Sequence, residues 1–287
     1  MTRAEALRDR IVAHIETVGF GALGLHVLAD ADEAQHRWAP DDRIDVQSVA
    51  KGVCVIAAGI AADEGLVDVD APVAELLPSW QTGTGADDVS LRHLLSMSSG
   101  IDLPWSETMM TDWPDLAAEF LSRPTTGRRF QYSNASTYTA MTALAERTGD
   151  VMSYLRPRLF DPLGIREAQW ERCPNGRILA GGGLMLRTAE MAAIGRLVRD
   201  RGAWEGRRVV SSEWIDAMHD DWVPAGTSPT YDRYALGGWA GPGAAWRLHG
   251  AHGQLLLFMD DVVVTITAHD HFGADAVAAA VVETISA

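Results

Sequence analysis

Basic side chains, cysteines and long apolar runs are all scarce in this sequence, and each shortage excludes a class of protein. The formal net charge of the 287 residues is −15, which is the wrong sign for binding nucleic acid or an anionic membrane surface. The two cysteines, Cys54 and Cys173, are too few and too far apart for a disulfide framework or a zinc knuckle. The longest apolar stretch, residues 53–62, is far shorter than the roughly 20 residues that span a bilayer.

The N-terminal segment also lacks the features of a secretion signal. Leu7, Ile11 and Ile15 recur at helical spacing among charged residues, which predicts an amphipathic helix over residues 4–18 and not an apolar leader. We therefore expect a cytoplasmic protein. No feature of the sequence specifies an oligomeric state.

Strand patterns lie at both ends of the chain, and helical patterns lie between them. Residues 21–28 predict a strand, and residues 254–268 predict a hairpin. Residues 48–64 predict a nearly all-apolar helix that is buried on most sides. Further helical patterns cover residues 91–97, 114–121, 135–148 and 151–159.

This order of elements predicts an α+β fold. One antiparallel sheet is expected to combine strands from both termini, with the helical middle as an insertion. We place the sheet lobe in residues 1–60 and 185–287 and the helical lobe in residues 61–184. The active site is expected between the two lobes.

Several motifs that would indicate other chemistry fail on their context. The G-x-G-x-x-G at residues 19–24 follows a helix and precedes a strand, the reverse of a dinucleotide-binding turn. Gly181–Gly183 has no Lys-Ser/Thr after it, so close backbone packing explains it better than a phosphate loop. No G-x-S-x-G elbow occurs, which disfavours a Ser-His-Asp hydrolase that would use His249 or His252. Residues 269–271 read as a polar loop and not as a metal site.

Ser48 and Lys51 form an S-x-x-K pair at the start of the buried helix. Residues three apart share a helix face, so the hydroxyl and the amine can touch. A serine needs a neighbour that accepts its proton, and a lysine in a dry, electropositive site can supply a neutral amine. Lys51 is the only lysine among 24 basic side chains, and arginine cannot act as a base. These observations predict Ser48 as the nucleophile and Lys51 as its activator.

Two further segments carry groups suited to the same chemistry. Tyr132 precedes a helix and can shuttle a proton, while the Asn134 amide can orient the lysine or the substrate. Near the C-terminal hairpin, Gly250 allows a ligand to approach the backbone, and N–H groups there could form an oxyanion hole with that of Ser48. His249 flanks this segment and is a candidate substrate-binding residue.

Together these motifs resemble the serine beta-lactamase-like superfamily. The resemblance is to the branch of class C beta-lactamases, DD-peptidases, family VIII esterases and 6-aminohexanoate-oligomer hydrolases. Residues 48–51 match the first motif of the family, and residues 132–134 match the second. Supporting matches lie at residues 93–101, 161–165, 181–184 and 211–214. The resemblance implies a five-stranded antiparallel sheet flanked by helices, a mostly helical second lobe, and Ala251 as the second oxyanion donor.

The third motif of the family departs from its usual form. Leu248-His249-Gly250 stands where relatives commonly have Lys or His, then Thr or Ser, then Gly. In beta-lactamases and DD-peptidases the cationic residue helps to hold the substrate carboxylate, and leucine cannot do so. Arg247 could replace it only if a bulge turned its side chain into the site.

We therefore interpret the chain as an esterase or amidase that forms an acyl-enzyme on Ser48 with a small-molecule substrate. No metal or organic cofactor is needed. Three alternatives stay open: acyl transfer to a small-molecule acceptor, beta-lactamase or D-peptidase activity, and a sensor that is acylated without turning over. The pocket walls come from loops such as residues 101–113 and 222–246, whose shapes the sequence does not give.

Overall fold

The computed structural model describes residues 1–110, 113–228 and 230–287. Within these ranges the α-helices are α1 (Arg3–Val18), α2 (Ala50–Asp63), α3 (Leu91–Leu95), α4 (Trp105–Met110), α5 (Leu116–Ser122), α6 (Asn134–Thr148), α7 (Val151–Leu155), α8 (Thr188–Arg199), α9 (Ser212–Asp216) and α10 (Ala274–Ser286). A π-helical turn, Arg156–Phe160, extends α7. The helical segments predicted from the sequence are therefore confirmed, with ends shifted by a few residues.

The strands are β1 (Ala22–Ala29), β2 (Asp32–Arg37), β3 (Ile44–Asp45), β4 (Gln169–Trp170), β5 (Leu184–Leu186), β6 (Ala203–Trp204), β7 (Arg207–Arg208), β8 (Val223–Pro224), β9 (Arg233–Tyr234), β10 (Trp239–Ala240), β11 (Trp246–Gly250), β12 (Gln254–Met259) and β13 (Val262–Ala268). The main sheet has the order β2-β1-β13-β12-β11-β10-β9-β8 and is antiparallel. Two small sheets, β3-β5-β4 and β6-β7, stand apart from it.

The α+β fold with one sheet built from both ends of the chain is confirmed, and the strand count is corrected. Five longer strands, β2, β1, β13, β12 and β11, match the five-stranded expectation. Three two-residue strands, β10, β9 and β8, continue the sheet within the described residues. Strands this short cannot show the alternation by which a strand is recognised in sequence, which is why they were missed.

The central strands of the main sheet, β1, β12 and β13, are covered on both faces, which explains why they are nearly continuously apolar. One core cluster joins α1 and α10 to the face that carries Leu25, Leu257 and Ile266. The opposite face carries Leu256 and Val263, which belong to the larger core around α2 and α8. Side chains alternate across a strand, so burial on both faces favours apolar residues at most positions.

Helix α2 lies at the centre of the molecule, as its sequence predicted. Every residue from Ala50 to Ala61 is buried. Its glycines permit close packing, because a Cβ on Gly52 would lie 2.4 Å from Leu248 Cδ1 and one on Gly59 would lie 2.1 Å from Trp214 Cδ1. The helix that carries the predicted activator is thus fixed directly against strand β11.

None of the helices in the described ranges is both long enough and apolar enough to cross a membrane. The division into lobes at residues 60 and 185 remains a prediction. It agrees with the position of the strands, since the main sheet uses residues 22–37 and 223–268.

Candidate active site

Ser48 lies in a 3-10 turn, Gln47–Val49, that leads directly into α2. The α-helix proper begins two residues later than the sequence suggested, at Ala50. Gln47 has a φ of 52°, a left-handed conformation that costs a non-glycine residue energy and needs external support. Asp45 supplies that support, since its carboxylate accepts hydrogen bonds from Gln47 N at 2.8 Å and Gln47 Nε2 at 2.7 Å.

Asp45 also ties this turn to the glycine-rich segment. Its Oδ1 accepts a third hydrogen bond, from the Gly183 amide at 2.8 Å. Strand pairing between β3 and β5 continues the same connection, with Asp45 opposite Met185. The position of Ser48 is therefore fixed by a carboxylate that the sequence did not single out.

Lys51 reaches Ser48 as the i, i+3 spacing predicted. Its Nζ donates to Ser48 Oγ, Asn134 Oδ1 and Gly181 O, each at 2.8 Å. The side chain is only 1% exposed, and within the described residues no carboxylate forms a salt bridge with it. The lysine is thus held by three oxygens from three separate parts of the chain and by no counter-charge.

Tyr132 and Asn134 enter the site from the helical side. Asn134 is the first residue of α6, and its Oδ1 is the acceptor just described. The Tyr132 ring lies beside Lys51, with Nζ 5.0 Å from the ring centroid. Among the described residues no hydrogen bond joins the Tyr132 hydroxyl to Ser48 or Lys51. The structure therefore brings all four groups together, with the phenol next to the amine but not bonded to it.

Gly181 confirms the close backbone approach predicted for the triple glycine. Its carbonyl accepts from Lys51 Nζ at 2.8 Å and from Ser48 Oγ at 3.4 Å. A Cβ on Gly181 would lie 2.6 Å from Asn134 Oδ1, so no larger residue fits without moving the asparagine. The absence of a side chain here is what lets the backbone reach the lysine.

Strand β11 places its side chains alternately on its two faces. Leu248 is fully buried against Gly52 of α2, and a Cβ on Gly250 would lie 2.5 Å from Val46 O. Arg247 and His249 lie on the other face. His249, Ala251 and His252 line the pocket.

Arg247 does not line the pocket, so the bulge that would turn it into the site is absent from the described structure. Its guanidinium is fully buried and donates to the carbonyl oxygens of Ala240, Gly241 and Thr230. It also lies 5.0 Å from the centre of the Tyr231 ring.

His249 is held by a group of polar residues behind the pocket wall. Its Nδ1 lies 3.3 Å from Tyr231 Oη and 3.4 Å from Arg247 Nε. Burial, together with the positive charge of Arg247, lowers the pKa of His249 to about 4, against the opposing pull of Asp275. Burial and the hydrogen bond to Asp275 raise the pKa of Tyr231 to about 12. His249 is therefore a neutral imidazole near pH 7.

The pocket in front of Ser48 has a volume of about 1100 Å³. Its walls include six large aromatic side chains: Trp105, Trp113, Tyr132, Tyr138, Tyr231 and Trp239. Two carboxylates, Asp45 and Glu171, also line it, whereas no arginine or lysine does among the described residues. A pocket of this kind favours a partly apolar ligand that carries no negative charge.

The pocket residues that could not be identified from the sequence lie mainly in two loops, residues 101–113 and 222–246. Trp105 and Trp113 come from the first loop, and Tyr231 and Trp239 from the second. Residues 111, 112 and 229 of these loops are outside the described residues. The many tryptophans were visible in the composition, but nothing local in the sequence indicates which of them face the site. Within the described ranges no group of three or more His, Cys, Asp or Glu side chains is placed to hold a metal ion.

Replacing Gly181 tests whether the arrangement around the lysine is needed. We expect Gly181→Ala to displace Asn134 from Lys51 and to lower kcat/KM by about tenfold or more, since one net hydrogen bond to a charged group contributes roughly 1.5–3 kcal/mol. Gly182→Ala is the matched control, because a Cβ there has no neighbour nearer than 3.7 Å. Equal activity of the two folded variants, measured with one chromogenic ester, would contradict the assignment.

Solved structures with the same fold cover nearly the whole chain. The D-amino acid amidase from Ochrobactrum anthropi SV3 superposes with a TM-score of 0.76 at 17% identity, covering 98% of each chain. A penicillin-binding protein homologue from Caulobacter crescentus gives a TM-score of 0.76 at 16% identity, covering 100% of this chain and 97% of that one. At such identities the likeness establishes the fold alone.

Sequence comparison identifies the family of the chain as well as its fold. The 6-aminohexanoate-dimer hydrolase of Paenarthrobacter ureafaciens is 30% identical in an alignment of 239 residues that covers 76% of this chain. The chain spans only 60% of the length of that relative. The sequence profile of the beta-lactamase family matches residues 10–282, almost the entire sequence. The chain therefore belongs to the beta-lactamase family.

Proposed function

We propose that the protein is a serine hydrolase that cleaves a small neutral ester or amide through an acyl-enzyme on Ser48. The observation that carries this proposal is the 2.8 Å contact between Ser48 Oγ and the buried Lys51 amine at the wall of an open pocket. A hydroxyl and an amine in hydrogen-bond contact are the pair that nucleophilic catalysis needs.

In the first step a bond forms between Ser48 Oγ and the carbonyl carbon of the substrate. Lys51 acts in this step as the neutral amine, with the Ser48 O–H donating to Nζ. The Ser48 proton passes to Nζ and from there, directly or through the Tyr132 hydroxyl, to the departing alcohol or amine as the scissile bond breaks. In the second step water attacks the ester of Ser48, and the same groups take its proton and return one to Ser48 Oγ. The distance of 5.0 Å between Lys51 Nζ and the centre of the Tyr132 ring supports a part for both residues in these transfers.

The negative charge that develops on the carbonyl oxygen needs hydrogen-bond donors. We assign this role to the backbone N–H groups of Ser48 and Ala251. Ser48 lies at the start of the turn into α2, Ala251 follows β11, and both line the pocket. Within the described residues neither N–H donates to a protein acceptor. One such donor typically contributes about 10²–10³ in kcat.

The proposed substrate class rests on the pocket walls and on two relatives. The 6-aminohexanoate-dimer hydrolase and the D-amino acid amidase are named for hydrolysing small amides. The pocket of this chain presents aromatic rings and two carboxylates, Asp45 and Glu171, and no cationic lining residue among those described. Carboxylates repel an anionic substrate, so a neutral ester or amide suits the site better than a penicillin or cephalosporin.

Lys51→Arg tests the proton-transfer role of the lysine. Arginine keeps the positive charge but cannot give up a proton, so we expect kcat to fall by about 10²–10⁴. The measurement is the hydrolysis of a p-nitrophenyl ester by the variant, with its fold checked by circular dichroism. Ser48→Ala serves as the inactive reference. Activity near the wild-type level in a folded Lys51→Arg protein would remove lysine from the mechanism.

The preference for neutral substrates is tested by comparing two chromogenic compounds. We expect a higher kcat/KM for p-nitrophenyl butyrate than for a chromogenic cephalosporin. The missing partner for the cephalosporin carboxylate is worth roughly 1.5–3 kcal/mol, or about 10- to 100-fold. Glu171→Gln removes one repelling carboxylate and should raise kcat/KM for the cephalosporin while leaving that for the ester nearly unchanged. A wild-type preference for the cephalosporin would overturn this part of the proposal.

A further inference from the structure

Three polar residues, Arg247, Tyr231 and Asp275, surround Nδ1 of His249. Asp275 of α10 accepts hydrogen bonds from Tyr231 Oη at 2.9 and 3.1 Å and contacts Arg247 Nη2 at 3.4 Å. Tyr231 thus gives its single proton to Asp275. The remaining contacts of the group both reach His249 Nδ1: Tyr231 Oη lies 3.3 Å from it, and Arg247 Nε donates to it at 3.4 Å.

This last contact determines which nitrogen of His249 carries the proton. An arginine Nε–H is always a donor, because the guanidinium does not deprotonate in proteins. The Tyr231 oxygen could accept from a hydrogen on Nδ1, but that hydrogen would face the Arg247 Nε–H. Because hydrogen bonds from a charged donor are the stronger ones, we infer that Nδ1 presents its lone pair to Arg247. A neutral imidazole has one N–H, which is therefore on Nε2.

The other ring nitrogen is the one available to a ligand. His249 lines the pocket, and its side chain is 13% exposed. Among the described residues Nε2 forms no hydrogen bond, and it is not one of the buried polar atoms without a partner. The donor is therefore accessible from the pocket and unused by the protein.

We propose that Arg247 holds His249 as the Nε2–H tautomer, so that the pocket presents a permanent, uncharged hydrogen-bond donor to a second neutral oxygen of the substrate. The proposal rests on the function proposed above and narrows it to esters and amides with a further carbonyl near the scissile bond. His249 is then a substrate-binding residue. Arg247, which does not line the pocket, is a positioning residue.

The chemistry of the pocket favours a neutral acceptor over an anionic one. The positive charge of Arg247 is engaged by Asp275 and by backbone carbonyls, so it is not offered to the ligand. Near pH 7 the imidazole adds no charge of its own, and Asp45 and Glu171 face the same space. A carbonyl oxygen can accept from Nε2–H without bringing a negative charge towards these carboxylates.

The tautomer is tested by long-range ¹H–¹⁵N spectra of the full-length protein with ¹⁵N-labelled histidine. The signals that disappear in His249→Gln identify His249 among the nine histidines. We expect a protonated Nε2 and an unprotonated Nδ1 from pH 6 to 8. A proton on Nδ1, or an imidazolium in this range, would overturn the proposal.

Two variants test whether Arg247 is the cause. In Arg247→Gln the obligate donor and the positive charge are lost, so His249 should titrate at a higher pH and populate the Nδ1–H form. In Tyr231→Phe, which keeps Arg247, the tautomer should stay as in the wild type, and this variant also serves if Arg247→Gln does not fold. A changed tautomer in Tyr231→Phe would show that Tyr231, and not Arg247, selects it.

The binding role is tested with two matched pairs of neutral esters. The first pair is p-nitrophenyl N-acetylglycinate and p-nitrophenyl pentanoate, which differ by an amide group, with its carbonyl oxygen, in the acyl half. The second is the acetate ester of N-methylglycolamide and butyl acetate, which differ in the alcohol half. Rates are corrected for the alkaline hydrolysis of each ester.

In at least one pair, His249→Leu should abolish a preference of about three- to tenfold for the ester that carries the amide group, the usual range for one net hydrogen bond. His249→Gln, whose amide can donate from a similar position, should retain it. Preferences that are the same in the wild type and in His249→Leu for both pairs would contradict the binding role. Failure of the hydrolase proposal itself would appear separately, as full activity in Ser48→Ala with the spectra unchanged.

Discussion

The burial of the Lys51 amine is the constraint on which the rest of the site depends. A basic group removed from water costs several kcal/mol unless polar partners replace its hydration. Here the partners are the oxygens of Ser48, Asn134 and Gly181, each 2.8 Å from Nζ. Among the described residues no carboxylate pairs with the lysine, so the amine is held in place by neutral oxygens.

The three oxygens come from separate parts of the chain, so the site exists only when the fold brings these parts together. Ser48 belongs to the turn before α2, Asn134 begins α6, and Gly181 lies in the segment before β5. Asp45 links the first and last of these through its hydrogen bonds to Gln47 and Gly183. The left-handed conformation of Gln47 is consistent with backbone strain that helps to orient Ser48, the proposed nucleophile.

Much of this arrangement was predictable from the sequence because its signals are local. The i, i+3 spacing of Ser48 and Lys51, the single lysine, and the apolar character of α2 each follow from neighbouring residues. The C-terminal hairpin was predictable for the same reason, and β12 and β13 confirm it. The alternation of β11 also correctly separated Leu248 from Arg247.

The remaining features depend on contacts between residues far apart in the chain. Asp275 meets Tyr231 across 44 positions, and Gly183 meets Asp45 across 138, so no local pattern marks either pair. Strands β8, β9 and β10 are two residues long and carry no readable alternation. The sequence shows that Leu248 stands where relatives commonly have a basic residue. Only the structure shows that the leucine side chain fills the space against Gly52.

The most direct test of this account is to identify the residue that becomes acylated. The protein is quenched with acid during turnover of a slowly hydrolysed ester, digested, and mapped by mass spectrometry, with Ser48→Ala treated in parallel. The account predicts a single acyl adduct on the peptide that contains Ser48, and none in Ser48→Ala. An adduct on another residue, or full turnover by Ser48→Ala, would contradict it.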